Sequence, residues 1–541
     1  MPKRSRDEEH DSVRSPKRAK ARSPSAPADR LSTLSDELLL RVLSFLPIHD
    51  LNVCQCLARK YKSIAADSQL WKALYYNRFV RPRASRLPAD LQPNHLHYSS
   101  KLSKWLDDES LVKKGRETNW KRQYKLRHNW TRGACNVNEI QVAEQPPLPP
   151  LLVRMHGSVV YTVDSVGGLR AWSSKKKRGL LAKAELPARS APTALAIDQT
   201  AEESNAAVHR VVVGFENGIF VMYSFDTRTG HLQPGYSHPP SSNGMLSAVA
   251  ICSPYVVTMT ASQLLSLYKF DDPQLLEAPR LLHSLRSHTT WPPLSLAIRP
   301  SAQNLVATIA YAIPTFASGW SVGVQEMWLS SDGELLDSRL ATSNDDGSRG
   351  ISASLPSSLS PTRIGSPVPT FAAATPGYSK PTSLSYSHPY LLLSHPDNTL
   401  TLYMVTSTDR ALSISGGSRL WGHTSSVSGA HVGMRGKAVS VSARGDELRI
   451  WELEGTTRRK LASSELSVRV QSPEKLKTVD AVTGLSDAIA RRGDGLGLAL
   501  QNRGMDDMSV VRGWVGFDEE NVVLLKEQSS GCQALVVYDF T

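Results

Sequence analysis

The sequence predicts an α+β multidomain chain: a small all-α unit, a helical linker, and a large all-β region built from repeated sheets. Three observations point there. Residues 31–80 carry apolar side chains at helical spacing. From Val153 on, the texture changes to short β-branched runs separated by Gly, Asn and Asp turns. That second pattern then recurs, one strand pair after another, through the rest of the chain. At 541 residues the chain is too long for one ordinary domain, and two or three units are expected.

Residues 1–30 are polar, charged and short of large apolar groups, so they are expected to be disordered. They hold two basic clusters separated by an acidic spacer, one with Lys3 and Arg4 and one with Lys17, Arg18, Lys20 and Arg22. That spacing suits a two-part nuclear import signal and predicts a nuclear chain, with a cytoplasmic pool as the alternative. Ser15-Pro16 and Ser23-Pro24 flank the second cluster. Phosphate on either serine would partly cancel its charge.

Residues 31–80 open with a short amphipathic helix. Leu38, Val42 and Phe45 fall on one stripe, and Leu39, Leu43 and Leu46 on the next. Ser35 is the candidate N-cap, Asp36 and Glu37 suit the positive end of the helix dipole, and Pro47 stops the helix. Further helices are expected from Asp50 through Leu57, around Tyr61, Ile64 and Ala65, and from Ser68 to Phe79. A unit of about fifty residues is near the lower limit for a self-sufficient core, so its spare apolar surface calls for a partner.

The run Leu34-x-x-Glu37-Leu38, Val42-Leu43-Ser44-Phe45-Leu46-Pro47-x-x-Asp50-Leu51, Leu57 to Tyr61, and Ile64 to Lys72 resembles an F-box. It departs from that family at Ser35, where Pro is usual, and at Tyr61, where Trp is usual. The resemblance implies docking on a Skp-type adaptor and, through it, on a cullin. It also implies that Leu34, Leu38, Leu39, Val42, Leu43, Leu46, Pro47 and Leu51 form most of the adaptor-binding surface, with Trp71 anchoring the helical core.

Residues 81–133 read as a basic helical linker. Their apolar positions are Leu102, Trp105 and Leu106, then Trp120, Tyr124 and Leu126, at the spacing of packing residues. They end in Asn129-Trp130-Thr131-Arg132-Gly133, similar to the segment that precedes the first blade in F-box proteins with a propeller. Of the net charge of +13, this linker holds 13 Lys/Arg against 5 Asp/Glu, whereas residues 134–541 hold 35 against 36. The basicity therefore belongs to tail and linker, and nucleic-acid binding is not the expected role of the main domain.

Residues 134–541 contain seven copies of a strand pair. They centre on Val159–Val163 with Gly167–Trp172, Val211–Gly214 with Ile219–Tyr223, Val256–Met259 with Leu264–Tyr268, and Leu305–Ile309 with Val322–Trp328. The last three centre on Tyr390–Ser394 with Thr399–Tyr403, Ala438–Val441 with Leu448–Trp451, and Asn521–Leu525 with Ala534–Tyr538. Seven such units would close a β-propeller, with six or eight blades as the alternatives because weak repeats escape a pattern search. Only Trp421-Gly422-His423-Thr424 through Trp451-Glu452 clearly resembles a WD repeat. There Gly445-Asp446 stands where Asp-Gly is usual, so the buried network built on that Asp is expected to be missing or shifted.

Leu535–Phe540 reads as the third strand of a blade, and Asn136–Val142 is placed to supply the fourth, removing an exposed sheet edge. Two insertions, 331–383 and 455–508, are rich in Ser, Thr, Pro or Gly and are expected to be disordered loops.

No stretch is long and apolar enough to span a bilayer as a helix, so no membrane association is expected. The 5 cysteines lack zinc-site spacing, and no metal or cofactor is expected. No nucleophile elbow, His-Glu-x-x-His or P-loop is present, which makes a non-catalytic binding role the expectation. The combined resemblance implies a substrate receptor of a ubiquitin ligase, holding a target protein on the propeller. The alternative is a scaffold or nucleoprotein-binding module that uses the basic linker on RNA.

Overall fold

The computed structural model describes residue 31, residues 33–81 and, from 118 to 541, all but 344–378, 454–466, 471–509 and short loop stretches. The charged tail with its candidate import signal (Lys3, Arg4, Lys17, Arg18, Lys20, Arg22) and the linker positions Leu102, Trp105 and Leu106 lie outside the described residues. The chain divides into two compact units, Met1–Tyr124 and Lys125–Thr541.

In the first unit, α1 (Asp36–Leu43) starts at Ser35, whose hydroxyl accepts the Leu38 N–H at 3.5 Å. The backbone N–H of Glu37 and the Ser35 hydroxyl hold the Glu37 carboxyl below its ordinary pKa, as suits a helix N-terminus. Pro47 has extended backbone and caps α2 (Ile48–Leu57), which begins two residues earlier than the sequence indicates. Proline fits there because the first turn needs no N–H from it. α3 (Arg59–Ile64) follows, and α4 (Ser68–Tyr75) is capped by Asp67, which accepts the Gln69 N–H at 2.8 Å. α4 continues into a π-helical turn, Tyr76–Val80, that the spacing did not reveal. α5 (Trp120–Arg132) contributes Trp120 and Tyr124 to this unit.

The second unit is a ring of seven sheets. It begins with β1 (Asn136–Ala143). Sheet one holds β2 (Leu152–His156), β3 (Val159–Asp164), β4 (Gly168–Ser173) and β5 (Leu180–Ala184). Sheet two holds β6 (Pro192–Ile197), β7 (Val208–Phe215), β8 (Phe220–Asp226) and β9 (His231–Ser237). Sheet three holds β10 (Leu246–Cys252), β11 (Tyr255–Thr260), β12 (Leu264–Lys269) and β13 (Arg280–Arg286). Sheet four holds β14 (Trp291–Ser301), β15 (Asn304–Thr315), β16 (Gly319–Leu329) and β17 (Leu335–Thr342).

Sheet five holds β18 (Ser383–Ser387), β19 (Tyr390–Ser394) and β20 (Thr399–Ser407), with two short fourth strands, β21 (Leu412–Ile414) and β22 (Ser418–Trp421), on opposite ends of β20. Sheet six holds β23 (Val427–Val432), β24 (Lys437–Ser442), β25 (Leu448–Glu452) and β26 (Ser467–Arg469). Sheet seven holds β27 (Val510–Phe517), β28 (Asn521–Glu527) and β29 (Gln533–Asp539), completed by β1.

All pairings are antiparallel, and the first strands of successive sheets lie side by side around the ring, with β27 against β2. The expected closure is present: Asn138 pairs with Val537 and Ile140 with Leu535. Core clusters fill the spaces between neighbouring sheets, such as Tyr161, Val163 and Leu169 against Val211, Val213 and Phe215.

The two expected insertions need correction. Leu335–Thr342 is a strand paired with β16, and Ser467–Arg469 is a strand paired with β25, so neither 331–383 nor 455–508 is wholly a loop. Both are fourth strands at the outer edge. None of their side chains is buried, so neither shows the covered, alternating apolar face that marks a core strand in the sequence.

Candidate functional site

Two surfaces stand out, one in each unit. In the first unit, the two stripes of α1 have different fates. Leu39 and Leu43 point inward with Leu51, Ile64, Ala65 and Leu70 and form the core, with Leu34 and Leu46 half-buried beside them. Leu38, Val42 and Phe45 point outward and stay 55%, 45% and 74% exposed. Arg41 lies 5.1 Å from the Phe45 ring centroid. On α2, Val53 and Leu57, one turn apart, are also exposed.

This corrects the expected adaptor-binding set. Leu39, Leu43 and Leu51 are sealed in the unit's own core and are not surface groups. Leu38, Val42 and Pro47 are exposed, and Leu34 and Leu46 are partly so. Phe45, Val53 and Leu57 were missed as surface residues. The signal for Phe45 was present, since it shares the Leu38–Val42 stripe. Trp71 sits where expected, buried, with its Nε1 donating to Ala65 O at 2.8 Å and its ring edge-on to Tyr124.

The described linker residues pack. Trp130 stacks on Phe540 at 4.3 Å and donates to Glu519 O at 2.9 Å, and the buried Arg127 lies 3.4 Å from Glu452. These aromatics are structural, and one of the linker's cations is neutralised within the fold.

In the ring, strand direction sorts the loops onto two faces. The first-to-second turns and the third-to-fourth connections share one face. The second-to-third turns and the connections between sheets share the other. Trp130 and Phe540 mark the former. On the latter, among the described residues, lie the exposed apolar side chains of Leu148 between β1 and β2, Val166 in the β3–β4 turn, Met245 before β10, and Trp421 at the end of β22. Leu148 and Val166 are close neighbours, since Ser165 Oγ donates to Leu148 O at 3.3 Å. Arg419 stacks over Trp421 at 5.2 Å while pairing with Asp397 at 2.7 Å.

The WD-like copy keeps its network, with a substitute acid. Trp451 Nε1 donates to Ser440 Oγ at 2.8 Å, and His423 Nε2 lies 2.5 Å from the same oxygen. Glu447 takes the place of the displaced Asp: it accepts the Thr424 N–H at 2.8 Å and Arg449 Nε at 2.7 Å, and lies 3.5 Å from His423 Nδ1. Burial pushes the Glu447 carboxyl up, but the Thr424 and Arg449 donors outweigh it and hold it below its ordinary value. Sheet one repeats part of this, with Trp172 Nε1 donating to Thr162 Oγ1 at 2.8 Å. Trp172 and Trp451 occupy the same place in register.

Among the described residues no helix is long and apolar enough to cross a membrane, and no cluster of ligating side chains could hold a metal.

A helical unit with one uncovered apolar stripe, joined to a seven-bladed propeller, defines the class of propeller-bearing F-box proteins. Comparison with known families agrees at both ends: residues 32–77 match the F-box-like family, and residues 135–541 match the family described as F-box protein pof12 beta-propeller. The second match takes in well over half of the chain, and the chain belongs to that family.

No curated protein matches the chain. Solved structures similar to it include the WD40 β-propeller domain of Doa1 (10% identity, TM-score 0.34, 74% of this chain and 95% of that one). They also include the Cps50 (Swd1) β-propeller domain of Myceliophteria thermophila (12%, 0.39, 75% and 100%) and Saccharomyces cerevisiae Sqt1 (9%, 0.39, 75% and 99%). At such scores they carry no weight for function. F-box domains generally bind a Skp-type adaptor, and propellers of this kind typically serve as non-catalytic protein-binding domains.

Proposed function

We propose that this chain is the substrate-recognition subunit of a Skp–cullin–F-box ubiquitin ligase. The outward stripe Leu38, Val42 and Phe45, with Pro47 beside it, seats on a Skp-type adaptor, and the adaptor brings the cullin. A target protein binds the propeller face that carries Leu148, Val166, Met245 and Trp421. The chain performs no chemistry; it raises the effective concentration of target lysines near charged ubiquitin. The observation that carries this reading is the split fate of α1. A helix whose inner stripe already completes a core has no structural need for three large apolar residues on its outer stripe.

For the target face, the supporting observation is Trp421 flanked by Arg419, the aromatic and arginine pairing typical of binding hot spots. The test is affinity purification under proteasome inhibition, with the intact chain and with Trp421→Ala. Proteins that accumulate on the intact chain and are lost from the variant, while the adaptor stays, support the assignment. An unchanged set sinks it. In this reading the Lys3, Arg4, Lys17, Arg18, Lys20 and Arg22 clusters carry the chain to the nucleus. Replacing the second cluster by alanine should shift a fluorescent fusion to the cytoplasm, and an unchanged distribution would refute that.

A further inference from the structure

The outer edge of sheet four is open and self-complementary. β17 is its fourth strand, eight residues long, and among the described residues no strand pairs with its outer side. Leu335 to Thr342 contain no proline, no glycine and one charge of each sign. Leu336 and Leu340 stay 54% and 48% exposed. A long, neutral, apolar edge is a template for a further strand. Asp337 and Arg339, opposite Trp328 and Glu326, turn toward sheet five. There Arg339 lies over the Trp328 ring at 5.1 Å and donates to Thr408 O, while its Nε donates to Asp337 at 2.6 Å. These contacts fix the arginine and leave the carboxylate half-exposed. Ser338 and Leu340, opposite Met327 and Gln325, turn the other way.

The outer strands of the other sheets carry features that block such pairing. β9 has Pro234-Gly235 inside it, and β21, β22 and β26 are only three or four residues long. β5 is five residues long and carries Lys183. β1 carries Asn136, Asn138, Glu139 and Gln141 and exposes no large apolar side chain. β13 is closest to β17 in character, since it exposes Leu281. Antiparallel pairing of β13 with itself about its central His283, however, puts Arg280 opposite Arg286, a like-charge contact.

β17 gives the opposite result. Antiparallel pairing with itself about Ser338 sets Asp337 of each copy opposite Arg339 of the other, and Leu336 opposite Leu340. The run Leu336-Asp337-Ser338-Arg339-Leu340 is thus charge-complementary to its own reverse. A two-fold interface requires that relation, one residue meeting a second and the second meeting the first. We propose that this chain pairs with a second copy of itself through β17, joining two fourth sheets edge to edge about a two-fold axis at Ser338. One strand pair is a small contact, so the pairing is weak and reversible. With two rings joined, a target that carries two binding segments is held by avidity. The inference does not rest on the ligase reading.

The test is sedimentation velocity of the full chain over a wide concentration range, without adaptor, for the wild type, Asp337→Arg, Arg339→Asp and Leu340→Lys. The expected result is a monomer–dimer equilibrium for the wild type, with a dissociation constant raised roughly tenfold or more in each variant. An equal mixture of Asp337→Arg and Arg339→Asp should dimerise again, because each supplies the charge that the other lacks. A wild type that is monomeric at every concentration overturns the proposal and leaves the edge to a strand from another protein. A dimer that all the variants keep lies on another surface and overturns it as well, as does a mixture of the two charge variants that stays monomeric. Should Arg339→Asp fail to fold for want of its contacts to Trp328 and Thr408, Asp337→Arg and Leu340→Lys decide. Weakening in both supports the edge, and an unchanged dissociation constant in either rejects it.

Discussion

Replacing Leu38, Val42 and Phe45 together by alanine should abolish adaptor binding without unfolding the helical unit. The magnitude follows from exposure. Complete burial of a large apolar side chain contributes about 1.5–3 kcal/mol. Phe45 is 74% exposed, so covering it contributes roughly 2 kcal/mol; Leu38, at 55%, adds about 1 and Val42, at 45%, slightly less. If the partner covers all three, the loss is about 4 kcal/mol, or roughly a thousandfold in Kd. The assay is calorimetric titration of the full chain with a purified Skp-type adaptor, with helix content checked by circular dichroism. The control is Leu39→Ala on the inner stripe, which should cost about 2–5 kcal/mol of stability in the unit itself. A triple variant that stays folded and binds within twofold of the wild type would refute the reasoning.

Three other outcomes are expected. Glu447→Ala should destabilise the ring by about 3–5 kcal/mol in denaturant unfolding, because Arg449 and the Thr424 donors lose their buried partner; a loss below about 1 kcal/mol would show that the network is dispensable. Removal of residues 136–143 uncovers the edge of β29 along its whole length, so the truncated chain should aggregate or lose cooperative unfolding, and a monodisperse protein with unchanged melting would contradict ring closure. His209 is held neutral, with burial and then His156 bringing its pKa down to about 4. The unfolded chain therefore binds the extra proton between about pH 4 and 6.5, stability should rise with pH across that window, and His209→Gln should flatten the slope. An equally steep profile in the variant would assign the slope to other groups.

What was legible in the sequence follows from where side chains are covered. The seven strand pairs found by pattern are the second and third strands of the seven sheets. These lie between neighbouring sheets and are covered on both faces, as in Val159–Asp164, where every residue is buried. First and fourth strands face the channel or the rim and tolerate polar residues, which is why Leu335–Thr342 and Ser467–Arg469 read as loop. Closure through β1 was legible because a chain ending on a third strand leaves one edge to fill.

At the sites the limit was different. Helical spacing puts Leu38 and Leu39 on adjacent stripes but cannot tell which faces the core. That choice rests on α2 to α4 packing against Leu39 and Leu43. The Glu447 network escaped because the acid has moved along the turn from its usual place, and only the folded turn brings it to Thr424.

The central claim is that the front unit delivers the ring to a ubiquitin ligase. Its most direct test is reconstitution of the full chain, and of a chain lacking residues 31–80, with a purified Skp-type adaptor and cullin, read by native mass spectrometry. The account predicts a stoichiometric three-protein complex with the full chain and none with the deletion. A well-folded full chain that joins neither adaptor nor cullin would contradict it.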